Sequence, residues 1–250
     1  MEAAVSKMDW LTTRPIAHRG LHDGESSIEN TPSAFAAAVA QGYGIECDLQ
    51  ITADGEAMVH HDDALGRLTQ GNARLDAMTA AQLKRVPMKV GGDHLITLGD
   101  LCELVAGRST LLIELKSRYD CDRRLVARTA DVLSSYRGPT AVMSFDPRQM
   151  AAFREIAPGL PRGIVAESHD REQWGDASAG AGRLIGYARR LLGMRPQFIA
   201  YSAKDLPSAL TGIARRLFQL PILAWTVHSA TEWQKAKPHA DQMIFEGFRP

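Results

Sequence analysis

The sequence has few cysteines and no long apolar run, and both features limit the classes of protein it can belong to. Its three cysteines, Cys47, Cys102 and Cys121, show no C-x-x-C spacing, so neither a disulfide framework nor a zinc knuckle is implied. The segment Met1–Thr13 has no apolar stretch followed by a small-residue cleavage site, so no secretory signal is expected. No run approaches the ~20 apolar residues of a membrane-spanning helix. We therefore expect a cytoplasmic protein without stable membrane insertion.

An excess of charge of either sign is also absent. The 29 basic and 29 acidic residues give a formal net charge of +0 at pH 7, which argues against nucleic-acid binding over a broad surface. Hydrophobic residues make up 45% of the 250 residues, which is enough for a full core. No repeat, low-complexity tract or flexible linker divides the chain. We predict one domain over residues 1–250, and homo-oligomerisation stays open.

A short apolar run followed by a helix-like segment recurs along the chain. The predicted strands are Pro15–His18, Gly44–Leu49, Leu111–Lys116, Thr140–Phe145, Arg162–Glu167, Gln197–Tyr201, Pro221–Val227 and Gln242–Glu246. The predicted helices are Thr31–Gln41, Leu98–Val105, Asp122–Tyr136, Pro147–Ile156, His169–Leu192, Leu206–Phe218 and Ala230–Lys235. This alternation predicts a (β/α)8 TIM barrel, whose catalytic groups lie at the carboxyl ends of the strands. The alternative, an open doubly wound sheet, would be favoured by a glycine-rich phosphate loop, and His18-Arg19-Gly20-Leu21-His22 is not such a loop.

Two segments interrupt the alternation after the second strand. Ala57–His61 is typical of an additional strand, and Asp54-Gly55 before it is typical of a two-residue hairpin turn. A two-residue loop places His61 on the same face as the acidic residues of the second strand, whereas a three-residue loop would place His60 there. The stretch 62–97 is longer than a barrel loop needs, so we predict a small insertion over the active-site end.

Three acidic residues are the candidate metal ligands. Glu46 and Asp48 lie two residues apart on a predicted strand, so their side chains project to one face. Two carboxylates at a barrel mouth repel each other unless they share a proton or bind a divalent cation. Glu114 ends another apolar run and adds a third carboxylate. This donor set favours one hard cation, Mg²⁺ or Ca²⁺ with Mn²⁺ as a further option. The simpler alternative is that all three are surface charges at strand ends.

Two histidines and two cationic residues accompany these acids. His18 and His61 fall at strand ends beside charged partners, and histidine titrates near neutrality, so they are the predicted general acid and base. Arg19 and Lys116 are the predicted phosphate-binding residues, since arginine donates through a planar fork and lysine is a point charge. Asp62 could orient His61 through a hydrogen bond, or it could cap the segment that follows.

Other prominent residues have a simple structural explanation. Phe145 and Trp225 close apolar runs, and core packing explains both; the functional alternative is an aromatic wall for the alcohol part of a substrate. Asn30 or Thr31 is explained by capping of the helix that follows. No G-x-S-x-G, H-E-x-x-H or G-x-x-x-x-G-K-[ST] motif is found, so these residues have no competitor among common catalytic signatures.

In order and spacing, these residues closely resemble the glycerophosphodiester phosphodiesterase family. The matching segments are Ile16-Ala17-His18-Arg19-Gly20, Glu29-Asn30-Thr31 with Phe35, Glu46-Cys47-Asp48-Leu49, Thr52-Ala53-Asp54-Gly55, Val59-His60-His61-Asp62, Leu65-Gly66-Arg67-Leu68-Thr69, Thr97-Leu98, Ile113-Glu114-Leu115-Lys116, Ser144-Phe145 and Trp225. Their combination is much more specific than any one segment. One segment departs from the family, because its last strand often reads Thr-Asp and this chain has Phe245-Glu246.

The resemblance implies a phosphodiesterase barrel with a small inserted segment after the His-Asp pair. It implies that a glycerophosphodiester is hydrolysed to glycerol 3-phosphate and an alcohol with a divalent metal. Attack by the substrate's neighbouring hydroxyl would give a cyclic phosphate that water then opens. The residues at the family's functional positions are Glu46, Asp48 and Glu114 for the metal, His18 and His61 for acid and base, and Arg19 and Lys116 for the phosphate.

Three alternative functions stay open on the sequence. A lysophospholipase D-like enzyme would use the same site on lysophospholipids, and an apolar rim on the insertion would favour it. A metal-dependent barrel isomerase or aldolase would use the same carboxylates on a sugar phosphate, but the two histidines would have no clear role in its reaction. A ligand-binding barrel without turnover would not need the intact set of acids and histidines.

Overall fold

Parallel strands form a closed barrel in the computed structural model, which describes residues 8–168 and 193–250. The barrel strands are β1 Ile16–Ala17, β2 Gly44–Ile51, β4 Leu111–Leu115, β5 Thr140–Ser144, β6 Arg162–Ala166, β7 Phe198–Ser202, β8 Ile222–Val227 and β9 Gln242–Phe245, and β3 is Ala57–Val59. β1 pairs with β2 on one side and with β9 on the other, which closes the barrel. The predicted (β/α)8 TIM barrel is confirmed. The strand ends differ from prediction by one or two residues.

Helices follow most of the barrel strands. They are α1 Asp9–Thr12, α2 Pro32–Ala40, α3 Ala80–Leu83, α4 Leu98–Val105, α5 Arg124–Ser135, α6 Pro147–Ile156, α7 Ala209–Phe218 and α8 Ala230–Ala236, with short 3-10 turns at Leu75–Ala77 and Ala203–Asp205. α7 begins later than predicted because Pro207 disfavours a helical conformation for the residue before it. The predicted helix His169–Leu192 lies outside the described residues. Across the described ranges, no helix is both long and apolar enough to cross a membrane.

The alternation of side chains along β4 explains why acidic groups point into the barrel. Leu111 and Ile113 pack outward against the helices, whereas Leu112 packs in the barrel interior. Glu114, two residues after Leu112, therefore also projects inward, at the carboxyl end of the strand. The parallel register places Asp48 of β2 beside Glu114. Strand periodicity and barrel closure together bring the acids to one end of the barrel.

The hairpin after β2 differs from the prediction. β2 pairs with β3 in the register of Leu49 with Val59, and Thr52 N donates to Glu56 O, which leaves a loop of three residues. The predicted two-residue loop is therefore wrong, and the three-residue alternative is found. A type I′ turn needs positive φ at both central residues, and here Gly55 has φ +79 while Asp54 does not have positive φ. Asp54 instead accepts hydrogen bonds from Thr52 Oγ1 and from Ala80 N, which tie the turn to α3.

The register also changes the expected position of the histidine pair. His60 N donates to Asp48 O over 3.0 Å, so residue 60, not residue 61, lies across from Asp48. The strand was predicted to reach His61, but it ends at Val59. Because His61 lies beyond the end of the strand, the alternation of side chains along the strand does not fix its direction. The position of His61 depends instead on the bend in the chain after β3.

The stretch 62–97 has its own small hydrophobic cluster. The buried members of this cluster are Met58, Leu65, Leu75, Leu83 and Leu95. Met58 belongs to β3, so the stretch is packed onto the hairpin. The capping box of Thr79 and Gln82 fixes the start of α3. The inserted polypeptide is thus supported by burial of apolar side chains, which holds its polar residues in fixed places.

We predict that Gly20→Ala destabilises the protein more than Gly24→Ala. Gly20 has φ +85, and a Cβ there would lie 2.8 Å from the Cβ of Ala34 in α2; Gly24 has φ +77, and its Cβ would meet nothing within 4 Å. Both substitutions strain a left-handed backbone, but only the first also pushes on α2. The free energy of unfolding in urea should fall by about 1 to 3 kcal/mol more for Gly20→Ala. Equal losses would contradict this packing.

Candidate active site

Glu46, Asp48 and Glu114 form a buried acidic cluster at the carboxyl end of the barrel. One carboxylate oxygen from each residue lies within 4.8 Å of the other two. The exposed fractions are 1%, 1% and 7%, so these are not surface charges at strand ends. Burying carboxylates at this spacing is costly unless counter-charges or protons compensate for them.

Asp48 is the carboxylate with most counter-charges. Asn30 Nδ2 donates to its Oδ2 over 2.9 Å, and Arg19 Nε lies 3.0 Å from the same oxygen. Lys116 Nζ lies 2.7 Å from Oδ1 and donates to Glu114 Oε1 over 2.6 Å. Burial alone would raise the pKa of Asp48, but the charges of Lys116 and Arg19 outweigh it and lower that pKa. Asp48 is therefore held ionised.

Glu46 has the opposite protonation behaviour. Burial and, after it, the negative charge of Asp48 together raise the pKa of Glu46 to about 8. Its Oε2 accepts a hydrogen bond from the backbone N–H of Arg19 over 3.0 Å. Neighbouring acids whose pKa values are pushed apart are typical of a shared proton or of a shared cation.

The donor atoms fit a hard divalent cation. Glu46 Oε1 is buried and accepts no hydrogen bond from the described residues, whereas Asp48 Oδ1 has the ammonium of Lys116 at 2.7 Å. A buried acceptor without a donor is rare unless another group completes it. Three carboxylates are the ligand type that Mg²⁺, Ca²⁺ and Mn²⁺ prefer. The identity of the ion stays a prediction.

Each predicted catalytic histidine has a carboxylate on its Nδ1 atom. His18 Nδ1 lies 2.5 Å from Glu246 Oε2, and His61 Nδ1 lies 2.7 Å from Asp62 Oδ1. An Nδ1–H that donates to a carboxylate leaves Nε2 as the atom available for proton transfer. His18 Nε2 lies 3.9 Å from Glu46 Oε2, next to the acidic cluster.

The hydrogen bond between His18 and Glu246 shifts the pKa of both groups. Burial lowers the pKa of His18, but the hydrogen bond with Glu246 and the charge of Glu46 outweigh it, and the net shift is upward. The same hydrogen bond lowers the pKa of Glu246 to about 2. The side-chain amide of Gln50 donates to the His61 carbonyl over 2.8 Å, which fixes the local backbone.

Two residues of the site were missed by sequence reasoning. The sequence marks Glu246 only as a departure from the family's last strand, whereas in the structure it is the partner of His18. Asn30 and Thr31 are both cap candidates by sequence; the cap position is Thr31, and Asn30 bonds Asp48 through both its amide nitrogen and its amide oxygen. The positive φ of Asn30, +58, suits a residue in a turn rather than at a cap.

Phe145 and Trp225 lie together near the acidic cluster. Their rings meet edge to face with centroids 5.4 Å apart, and both pack against the barrel interior. Phe145 also lines a cavity of about 140 Å³ together with Glu114 and Lys116. Phe145 therefore packs against Trp225 and also lines a space at the site, and the aromatic wall stays a prediction.

The proteins that resemble this chain in sequence or in fold are described as phosphodiesterases. The model of the glycerophosphoryl diester phosphodiesterase family matches residues 18–239. A glycerophosphodiester phosphodiesterase of Caldanaerobacter subterraneus subsp. tengcongensis is 29% identical over 174 residues, which cover 66% of this chain and 71% of that protein. A phosphodiesterase of Oleispira antarctica, solved in complex with the product sn-glycerol-3-phosphate, has a TM-score of 0.78 at 20% identity over 94% of each chain. A glycerophosphodiester phosphodiesterase of Thermotoga maritima has a TM-score of 0.72 at 23% identity over 92% of each chain.

We predict that Glu246→Gln lowers the pKa of His18. The substitution removes the hydrogen-bonded negative charge that raises this pKa and leaves the burial that lowers it. The change should be visible when the imidazole signals are titrated by NMR. Glu232→Gln, which removes a carboxylate bonded to the backbone of His228 instead, should leave the His18 titration in place. An unchanged His18 titration in Glu246→Gln would show that the pair does not form.

The pKa of about 8 for Glu46 predicts that protons compete with a cation for the acidic cluster. Below that pH, binding must release the Glu46 proton, so affinity for Mn²⁺ should increase from about pH 6 and level off above about pH 8. Calorimetry in two buffers with different ionisation enthalpies measures the released protons directly. Glu46→Gln should bind Mn²⁺ more weakly and with a flatter pH dependence. Affinity independent of pH in the unaltered protein would contradict the raised pKa.

Proposed function

Since the chain belongs to the glycerophosphoryl diester phosphodiesterase family, we propose that it hydrolyses glycerophosphodiesters to glycerol 3-phosphate and an alcohol. The observation that carries this proposal is the meeting of three buried carboxylates with His18 at the carboxyl end of the barrel. Such a site combines acidic ligands for a cation with a group that can transfer protons at neutral pH.

Glu46, Asp48 and Glu114 would hold the divalent cation. When bound there, Mg²⁺, Ca²⁺ or Mn²⁺ would neutralise negative charge on the phosphoryl oxygens. The buried Oε1 atom of Glu46, which has no hydrogen-bond donor among the described residues, supports this assignment.

The two histidines would move the protons. In the first step, the hydroxyl next to the phosphate on the glycerol part attacks phosphorus, and one histidine accepts its proton. The other histidine donates a proton to the departing alcohol oxygen as that P–O bond breaks and a cyclic phosphate forms. In the second step, water opens the cycle and the roles are exchanged. The carboxylates of Glu246 and Asp62 support this scheme because each occupies an Nδ1 atom and leaves Nε2 of His18 and His61 available for proton transfer.

Arg19 and Lys116 would bind the phosphate. Both cations already lie against Asp48, so a phosphate in the site would meet positive charge on the side of this acid. Burial opposes the charged form of Lys116, but Asp48 and Glu114 outweigh it and raise the pKa of Lys116, so the ammonium stays charged at neutral pH. A permanently charged pair suits an anionic diester.

The surface of the insertion favours a small, water-soluble diester over a lysophospholipid. Within residues 62–97, all of which are described, Val90 is the one large hydrophobic side chain in the exposed class, with 47% exposure. A single exposed valine gives no apolar rim for an acyl chain. The lysophospholipase D-like alternative thus lacks the feature that would favour it.

The experiment is release of glycerol 3-phosphate from glycerophosphocholine in the presence of Mg²⁺, Ca²⁺ or Mn²⁺. We predict that His18→Ala and His61→Ala each lower kcat by about 10²- to 10⁴-fold, since each removes one proton-transfer group. His94→Ala, which removes an exposed histidine of the insertion, should leave kcat unchanged. Lysophosphatidylcholine should be the poorer substrate.

Three results would contradict the proposal. Unchanged turnover in His18→Ala or Glu46→Ala protein would remove the mechanism, and faster turnover of lysophosphatidylcholine would favour the alternative substrate. The absence of any diester cleavage by protein that binds the cation would favour a ligand-binding barrel instead.

A further inference from the structure

Arg67 of the insertion lies between two carboxylates that belong to different parts of the site. Its Nε donates to Asp62 Oδ2 over 2.7 Å, and its Nη2 reaches Asp62 Oδ1 at 3.3 Å. On the other side, Nη1 donates to Glu29 Oε2 over 3.0 Å and Nη2 donates to Glu29 Oε1 over 2.7 Å. The guanidinium therefore forms a two-point contact with each acid, which is the geometry that arginine makes and lysine cannot.

The backbone of Arg67 is held by the hydrophobic cluster of the insertion. Leu65, two residues before it, is a buried member of that cluster, and Leu65 N donates to Ala73 O over 2.8 Å. Thr69, two residues after it, is fully buried, and its Oγ1 accepts a hydrogen bond from Gly66 N over 3.3 Å. The side chain of Arg67 is 44% exposed, but its backbone is held by the cluster and its guanidinium is held by the two acids.

One side of this contact leads to a catalytic histidine. Asp62 uses Oδ1 to accept from His61 Nδ1 and Oδ2 to accept from Arg67 Nε. A carboxylate held at both oxygens cannot rotate freely, so the imidazole plane of His61 is fixed as well. Burial would raise the pKa of Asp62, but Arg67 and His61 outweigh it and lower that pKa to about 2, which keeps the acid ionised.

The other side leads to the residue assigned to the phosphate. Glu29 Oε1 accepts from Arg19 Nη1 over 2.9 Å as well as from Arg67 Nη2. Arg19 also lies 3.0 Å from Asp48 at its Nε atom, so Glu29 fixes the outer end of a guanidinium whose inner end is at the acidic cluster. The orientation of Arg19 thus depends on where Glu29 is held.

We propose that Arg67 is a positioning residue that couples the proton-transfer group His61 to the phosphate-binding group Arg19 through Asp62 and Glu29. The inference rests on the proposed function, because it assigns Arg67 to the same reaction. It gives the stretch 62–97 a role in catalysis. Arg67 itself has no contact with the acidic cluster among the described residues, so it acts through its two acids.

Alternation of charge explains why the arrangement needs an arginine at this point. Without a cation at Arg67, the carboxylates of Asp62 and Glu29 would face each other without the charge that both now share. Each acid would then turn toward water or toward another cation. Lysine would keep one positive charge, but its single ammonium cannot make two-point contacts with both acids.

The test compares Arg67→Met and Arg67→Lys with Arg74→Met, a matched control in the same insertion. Arg74 also bridges two acids, Asp63 and Asp76, but neither of these contacts a histidine or Arg19 in the described structure. With glycerophosphocholine as the substrate, Arg67→Met should lower kcat/KM by about 10- to 100-fold. Arg67→Lys should lie between it and the unaltered protein. Arg74→Met should change kcat/KM by less than about twofold.

A split between kinetic constants separates positioning from a general loss of structure. Asp62→Asn should lower kcat, Glu29→Gln should raise KM and weaken inhibition by glycerol 3-phosphate, and Arg67→Met should do both. Because the residues act through shared contacts, Arg67→Met combined with either of these variants should cost less than the product of the two single effects. Thermal melting shows which variants are folded, and Arg67→Lys carries the test if Arg67→Met does not fold.

The outcomes are distinct for the two proposals. Unaltered protein that cleaves the diester while folded Arg67→Met matches it in kcat, KM and product inhibition would overturn the positioning role and leave the function intact. Fully multiplicative effects in the double variants would also overturn the coupling. Failure of the unaltered protein to cleave any glycerophosphodiester would overturn the proposed function, and this inference with it.

Discussion

The negative charge of Asp48, buried at the carboxyl end of the barrel, constrains the structure around it. A buried ion costs several kcal/mol unless it is surrounded by opposite charge and hydrogen bonds. Here the compensation comes from Lys116 after β4, Arg19 after β1 and Asn30 before α2. Three segments that are distant in sequence are thereby held around one carboxylate. The same contacts place the candidate phosphate-binding groups beside the candidate metal ligands.

Closure of the barrel brings together the second set of interactions. β9 pairs with β1, so Glu246 at the end of the last strand meets His18 at the end of the first. His61 receives an equivalent carboxylate from Asp62, its neighbour in sequence. Each histidine thus has a carboxylate at its Nδ1 atom. For His18 the carboxylate comes from a distant strand, and for His61 it comes from the next residue.

The sequence predicted what depends on local periodicity. Alternation along strands placed Glu46, Asp48 and Glu114 on inward faces, and the barrel brought them together. The sequence did not predict hydrogen bonds between side chains of distant segments. The hairpin loop shows the limit of local signals, because Gly55 with positive φ suits a three-residue loop that ends on a left-handed glycine as well as a two-residue loop. The bond from Ala80 N to Asp54 and the bonds between Asn30 and Asp48 depend on tertiary packing, which the local pattern does not contain.

We propose that the acidic cluster holds a cation next to the phosphate of the substrate. Phosphorus-31 electron–nuclear double resonance on protein loaded with Mn²⁺ and glycerol 3-phosphate measures this contact directly. We expect a resolved phosphorus coupling to Mn²⁺ in the unaltered protein and none in Asp48→Asn protein, which lacks a charged ligand. An Mn²⁺ signal without phosphorus coupling in the unaltered protein, or the same coupling in Asp48→Asn, would contradict the account.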